Sequence, residues 1–194
     1  WKNISSSPYD TETLSEGISF MEISSDGKYV LTGEETNKLT LWEEGTRVWE
    51  KGDFLAGLYG IDISSNGSNI TAVDRRNVYL FGKNSNVEVW NANFPSQEMS
   101  TVRISPDGKY NGAGTFDSNV YVFLTSNKDD VWFHSDTLDG KITDIDFSGD
   151  SSHLVIGTQS GRVHVYSSDG GNKPTMPQQD KVTCVSAGAH SKYY

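Results

Sequence analysis

Four charged residues that could act together recur at intervals of about forty residues: Glu22, Asp62, Arg103 and Asp146, with Ser186 next in the same series. Each stands between two apolar neighbours: Met21 and Ile23, Ile61 and Ile63, Val102 and Ile104, Ile145 and Phe147. In an extended strand successive side chains point to opposite faces, so each polar residue projects away from the face its neighbours bury. Three carboxylates around one guanidinium allow two readings. One is a charged channel that holds an ion or a small polar ligand. The other is an ion pair between repeats, with Arg103 flanked by Asp62 and Asp146, kept because an unpaired buried member would be costly. The structural reading is the favoured one.

Other chemistry-bearing residues are scattered. The four histidines, His134, His153, His164 and His190, form no short-range pair with metal-ligand spacing. The carboxylate pairs Glu34–Glu35, Glu43–Glu44 and Asp129–Asp130 are expected in turns, where solvation accounts for them. No glycine-rich phosphate loop and no Gly-x-Ser-x-Gly elbow occurs. The single cysteine, Cys184, has no Cys or His at ligand spacing and is expected to be a small buried residue. No catalytic residue, metal ligand or cofactor contact is therefore assigned. Three Asn-x-Ser/Thr acceptor sites, at Asn3, Asn66 and Asn69, are expected on loops, though 13 Asn and 40 Ser plus Thr produce about that many by chance.

Composition bounds the rest. The 194 residues, 35% hydrophobic, suffice for an ordinary domain with a modest core. Nineteen glycines favour short strands joined by turns. A net charge of −10 without a basic stripe disfavours nucleic acid as a partner. No apolar run approaches the ~18 residues of a membrane span, and nothing at the start reads as a signal peptide.

The charged positions belong to a repeat that covers the chain. "FMEISSDGKYVLTGEETNKLTLW", "GIDISSNGSNITAVDRRNVYLF", "RISPDGKYNGAGTFDSNVYVF" and "DIDFSGDSSHLVIGTQSGRVHVY" align on Ser24, Ser64, Ser105 and Ser148. Before each serine runs an apolar triad: Ile18, Met21, Ile23; Leu58, Ile61, Ile63; Met99, Val102, Ile104; Ile142, Ile145, Phe147. An unfinished copy continues as Val182, Val185, Ala187. The Asp-Gly and Asn-Gly pairs at 26–27, 66–67 and 107–108 suit tight hairpins. A second small strand follows, then a third ending in Trp42, Phe81, Phe123 or Tyr166, then a fourth carrying Trp49, Trp90 and Trp132. Four short antiparallel strands per ~41 residues is the unit of an all-β β-propeller.

The "ISPDGKY" turn and "NVYVF" strand resemble the WD-repeat and quinoprotein-like (pyrroloquinoline-quinone-type) propeller superfamily. The Trp-Asp ending and the Gly-His pair of WD repeats are missing. The late tryptophan, as in "GTRVWE", resembles the tryptophan-docking motif of quinoprotein-like propellers, which implies packing between blades and by itself no cofactor. The expected division is the end of a preceding blade and an inserted loop over 1–17, and blades over 18–52, 58–93, 99–135 and 141–178. The last has a degenerate final strand at "KPT" 173–175, and a truncated blade starts over 181–194. Four whole copies and two partial ones suggest part of a ring of about six to eight blades, completed by further blades of the same chain or by a partner. The polar loop 2–17 is expected as an insertion on one rim, either a binding loop or, the favoured reading, a disordered variable one. The functional expectation is a non-enzymatic interaction or assembly scaffold that meets a protein partner or copies of itself. An extracellular or cell-surface setting is slightly favoured over a cytoplasmic one. The alternative, a fragment of a quinoprotein-type dehydrogenase, lacks that family's adjacent cysteine pair and a recognisable calcium set.

Overall fold

The computed structural model describes residues 17–134, 138–170, 176–177 and 180–188, with the backbone alone at 130–134 and 177. These residues form four antiparallel sheets of four strands in simple meander order. The first sheet is β1 (Ile18–Ile23), β2 (Tyr29–Glu34), β3 (Leu39–Glu43) and β4 (Thr46–Lys51). The second is β5 (Gly60–Ile63), β6 (Asn69–Val73), β7 (Asn77–Gly82) and β8 (Glu88–Asn93). The third is β9 (Met99–Ile104), β10 (Tyr110–Thr115), β11 (Val120–Leu124) and β12 (Asp130–His134). The fourth is β13 (Ile142–Phe147), β14 (His153–Thr158), β15 (Arg162–Ser167) and the two-residue β16 (Met176–Pro177). Pro177 sits on that outermost edge, where a missing N–H interrupts no ladder. The sheets are propeller blades.

The repeated serine explains why the first hairpin closes alike in every blade. Ser24, Ser64, Ser105 and Ser148 are buried. Each hydroxyl accepts the backbone N–H five residues on, from Tyr29, Asn69, Tyr110 and His153, at 2.9–3.1 Å. Each also reaches the Asp or Asn two residues on: Asp26, Asn66, Asp107 or Asp150. That side chain in turn accepts the N–H two residues further along, an Asx turn. The following residue has positive φ: Gly27, Gly67 and Gly108, and in the fourth blade Ser151 at 60°. Glycine takes this conformation without strain.

Packing between blades follows one rule. The apolar triad of one first strand enters the neighbouring blade where that blade's second strand is smallest. A Cβ on Gly112 would meet Ile145 and Phe147, one on Gly114 would meet Ile142, and one on Gly33 would meet Leu58. The three core clusters accordingly straddle the first and second, second and third, and third and fourth blades. Towards the outside, the late tryptophans dock forwards. Trp49 lies 5.7 Å from Phe81 of the next blade and donates its indole N–H to the Lys83 carbonyl at 3.0 Å. Trp90 repeats this on Phe123 and the Thr125 carbonyl, again at 5.7 and 3.0 Å. The hairpin turns are also bonded in series, Ser25 N–H to Ser65 and Ser65 N–H to Pro106.

The two ends of the array differ. In β1 the triad residues Ile18, Met21 and Ile23 are 49%, 66% and 59% exposed, whereas their counterparts Met99, Val102, Ile142 and Ile145 are fully buried. Beyond the fourth blade, residues 181–188 lie against β13 and β14. The Val182 and Val185 methyls occupy the space a Cβ on Gly157 would need, and Gly149 donates to the Gly188 carbonyl. The segment forms no strand of its own but occupies the place of a first strand. Cys184, expected to be buried, is exposed: it falls between the inward positions Val182 and Val185, on the side facing away from blade four. Several sequence expectations lie outside the described residues: the preceding blade end and inserted loop over 1–16, the sequon at Asn3, the "KPT" segment and His190. The side chains of Trp132 and His134 lie outside them too.

The seat rule makes a direct prediction. In Gly114→Ala the new Cβ would lie 2.5 Å from Ile142 Cγ2, so urea unfolding should show a loss of about 1–3 kcal/mol, the range for overpacking. Gly82→Ala meets nothing within 4 Å and should change stability by less than about 0.5 kcal/mol. Equal effects at the two sites would contradict the rule.

Candidate functional site: a polar pocket on the first strands

The four charged residues of the repeat do meet. Glu22, Asp62, Arg103 and Asp146 line one pocket of about 210 Å³, with Ser25, Ser65 and Pro106 of the bonded turns beside them. All four are half-buried. For Asp62, Arg103 and Asp146 the first strands place them there because the alternate residues are committed to the seat of the neighbouring blade; beside Glu22, Met21 and Ile23 are exposed.

The carboxylates have a specific task. Asp62 Oδ1 accepts the N–H of Ile63 at 2.8 Å, and Oδ2 accepts the N–H of Ile104, in the next blade, at 2.7 Å. Asp146 does the same two blades later, Oδ2 accepting the N–H of Ala187 at 2.8 Å. Ile104 and Ala187 hold equivalent places in the repeat. Each aspartate therefore holds the first strand of the next blade by its backbone.

Arg103 is placed differently from the sequence expectation. Its guanidinium is 3.5 Å from Asp144 Oδ1, and its other terminal nitrogen donates to the Val102 carbonyl at 3.1 Å. Asp62 and Asp146, expected to flank it in direct pairs, act on it only through longer-range attraction. Asp144 escaped the sequence analysis although "TDIDF" puts it on the same strand face as Asp146, two residues away. It also accepts the N–H of Val185 at 3.1 Å, so it both pairs with Arg103 and holds the next strand.

Burial dominates the ionisation of the group. It pushes the Asp62 carboxyl up to about 7, against the attraction of Arg103 and the two backbone N–H bonds. Glu22 is raised for the same first reason, and the nearby Asp146 and Asp144 add to it. Asp146 is raised by burial, opposed by the Ala187 N–H and by Arg103. Burial works against the charge of Arg103, but Asp62, Asp144, Glu22 and Asp146 outweigh it and hold the guanidinium more firmly protonated.

The remaining candidates are dispersed. His164 is buried in β15, stacked 6.5 Å from Tyr166, and burial lowers its pKa, as expected of a core residue. Among the described residues no group of three His, Cys, Asp or Glu is placed to hold a metal ion. Glu34, expected in a solvated turn, is instead buried at the end of β2, where the Thr40 hydroxyl donates to it at 3.2 Å. Asn66 lies exposed in its turn. Asn69, expected on a loop, opens β6 and donates its side-chain N–H to the Gly108 carbonyl of the next blade at 3.0 Å. A residue the sequence analysis missed is Asp74. Fully buried, it accepts N–H groups from Leu55, Arg76 and Asn77 and the hydroxyl of Tyr79. The signal was the Asp-x-x-Asn run 74–77 between two strands, a side-chain turn.

Residues 132–167 match the family model of the WD domain, G-beta repeat. The matched stretch starts in β12 and ends with β15, so the unit takes the last strand of one blade and three of the next. No curated protein matches the chain. The match and the four antiparallel four-stranded sheets together fit a WD-repeat-like β-propeller, a kind of repeat that suggests a protein-interaction scaffold.

The pocket should make folding pH-dependent in a definite sense. Asp62 holds its proton more tightly folded, at about 7 against 3.8 for the ordinary carboxyl. Its contribution is therefore fully present below about pH 4 and is lost as pH rises through 7. In Asp62→Asn, which still offers an acceptor to Ile104, this part of the slope between pH 4 and 7 should vanish in urea titrations. An unchanged slope would remove Asp62 as its source.

Proposed function

We propose that this chain is a non-enzymatic interaction scaffold whose protein partner engages the rim bearing the connection between β4 and β5. The observation that carries this reading is the way Leu55 is held. Phe54 before it is buried edge-on against Tyr79 and Phe81. The Leu55 N–H is bonded to Asp74, and its carbonyl receives the N–H of Arg75. Ala56 after it takes φ of 60°, a left-handed conformation that costs a non-glycine residue roughly 1–2 kcal/mol. The leucine side chain itself is 56% exposed. A strained, doubly anchored loop thus fixes an apolar side chain in solvent, and backbone strain of this kind collects at functional sites. An apolar contact fixed in advance loses little entropy on binding.

Around Leu55 the rim is charged: Arg75 pairs with Glu98, and Arg76 follows. A protein surface with an apolar recess and carboxylates beside it would complement this arrangement. The frame behind the loop is braced: the first two blades are fastened at the turn and by Trp49, and the second and third at the turn, by Asp62 and by Trp90.

A photo-reactive phenylalanine analogue at position 55 should yield a discrete protein adduct in the native source, while the same group at exposed Val48 on β4 should not. Adducts at both positions, or at neither, would defeat the assignment of this rim. If the scaffold works outside the cell, mass spectrometry should find glycan at Asn66 and none at Asn69. The Asn69 amide nitrogen is already engaged with Gly108, and the hydroxyl of its acceptor Thr71 is bonded to the Tyr79 carbonyl. Glycan at Asn69 would contradict the geometry.

A further inference from the structure

The first-hairpin turn demands a particular pair of residues, and in the second blade that demand creates a reactive one. The turn takes an Asp or Asn whose side chain caps a following N–H, then a residue of positive φ. Three blades use aspartate, at Asp26, Asp107 and Asp150; the second uses Asn66, followed by Gly67 at φ of 70°. In an Asn-Gly pair the main-chain nitrogen can attack the preceding side-chain amide, since glycine has no Cβ to crowd the approach. Asn66 is exposed, so water reaches it. The closed turn nevertheless holds both reacting groups. The Gly67 N–H is donated to the Ser64 carbonyl at 2.9 Å. Asn66 Oδ1 accepts the Ser64 hydroxyl at 3.1 Å and the Ser68 N–H at 3.0 Å. Gly67 is itself buried against the Tyr29 ring. The chain's other Asn-Gly pair, Asn111–Gly112, supplies the contrast. It lies within β10, where Asn111 is fully buried and its Nδ2 donates to Thr71 Oγ1 of the preceding blade at 2.8 Å.

We infer that Asn66 is a site of spontaneous deamidation whose rate is set by the opening of its own turn. The Gly67 nitrogen bonds to Asn66 Cγ, the Cγ–Nδ2 bond breaks, and the proton lost by the Gly67 nitrogen leaves with the ammonia. Water then opens the cyclic imide. Cleavage between Cγ and the Gly67 nitrogen gives aspartate; cleavage at the main-chain carbonyl gives isoaspartate. One water is consumed and one ammonia released. The two products differ in what they do to the turn. In the other three blades the serine hydroxyl meets the aspartate at 2.6 Å, against 3.1 Å at Asn66, as a charged acceptor draws a donor closer. Aspartate at 66 therefore re-forms the turn and tightens it. Isoaspartate lengthens the main chain by an atom and cannot serve Ser64 and Ser68 together. The inference is independent of the partner proposed for the Leu55 rim. A glycan on Asn66 would block the reaction, so the test uses unglycosylated chain.

Peptide mapping by mass spectrometry, after incubation in mildly alkaline buffer with and without denaturing urea, follows both pairs at once. In urea Asn66 and Asn111 should deamidate at similar rates. In the folded chain Asn66 should react about tenfold to a hundredfold more slowly than in urea, because several turn bonds, each worth roughly two- to tenfold, must open first. Asn111 should be slower still, since a turn opens locally at less cost than a core strand. Ser64→Ala, which removes the hydroxyl on Asn66, should speed Asn66 while Asn111 stays slow, showing that the blades remain folded. Asn66→Asp should unfold at no lower urea concentration than the unmodified chain. Equal rates for Asn66 folded and in urea would overturn the inference, as would a folded chain in which Asn66 is no faster than Asn111. These two comparisons need no variant. A loss of stability in Asn66→Asp would overturn the fit of the aspartate product.

Discussion

No blade of this protein can keep both of its faces dry. Four strands of at most six residues make a sheet too small to fold over itself, so its apolar triad must enter a neighbour. In three blades the neighbour accepts it where its own second strand is nearly bare, while in the second blade, whose β6 has no glycine, Val102 lies against Gly60 of β5. Gly33, Gly112, Gly114 and Gly157 supply that space, and a single added methyl at Gly114 or Gly157 would collide with the entering side chain. Glycine weakens a strand's intrinsic preference. Here that weakness is offset by the close approach it permits between sheets.

Once the triad is seated, the polar residues between its members have nowhere to go but inwards. This accounts for the charged pocket without any need for a ligand. Asp62 and Asp146 turn the enforced position to use by gripping the backbone of the following strand, and Asp144 adds a second grip while balancing Arg103. A carboxylate bonded to main-chain N–H groups recognises any residue that occupies that place. The same grip therefore serves isoleucine in one blade and alanine in the strand beyond the fourth. Tolerance of the side chain with insistence on the backbone is what a repeat needs if its copies are to diverge and still stack.

The rims are free of these duties, and there the copies differ. The connection into the second blade carries the left-handed Asp53 and Ala56 and the exposed Leu55, whereas the connection into the third is the shorter run from Phe94 to Glu98. The two anchors are conserved in kind, Phe54 and Phe94 both stacking on the aromatic residues of the strand behind them. Variation thus accumulates where the frame does not constrain it, the usual division of labour between scaffold and recognition surface.

Because the repeat is local and periodic, the residues by themselves determined the all-β blade, the hairpin serines, the triads and the late tryptophans. Each rests on a spacing within one strand or on the same residue type returning after some forty positions. What they left open depends on contacts between residues far apart in the chain. Arg103 turned to Asp144 and not to its expected partners, Asn69 spent its amide on Gly108, and Glu34 was drawn inside by Thr40. Cys184 faced outwards. Spacing shows which side of a strand a residue occupies. Only the approach of the neighbouring sheet, at hydrogen-bond distance and with its own donors in place, decides what that residue meets.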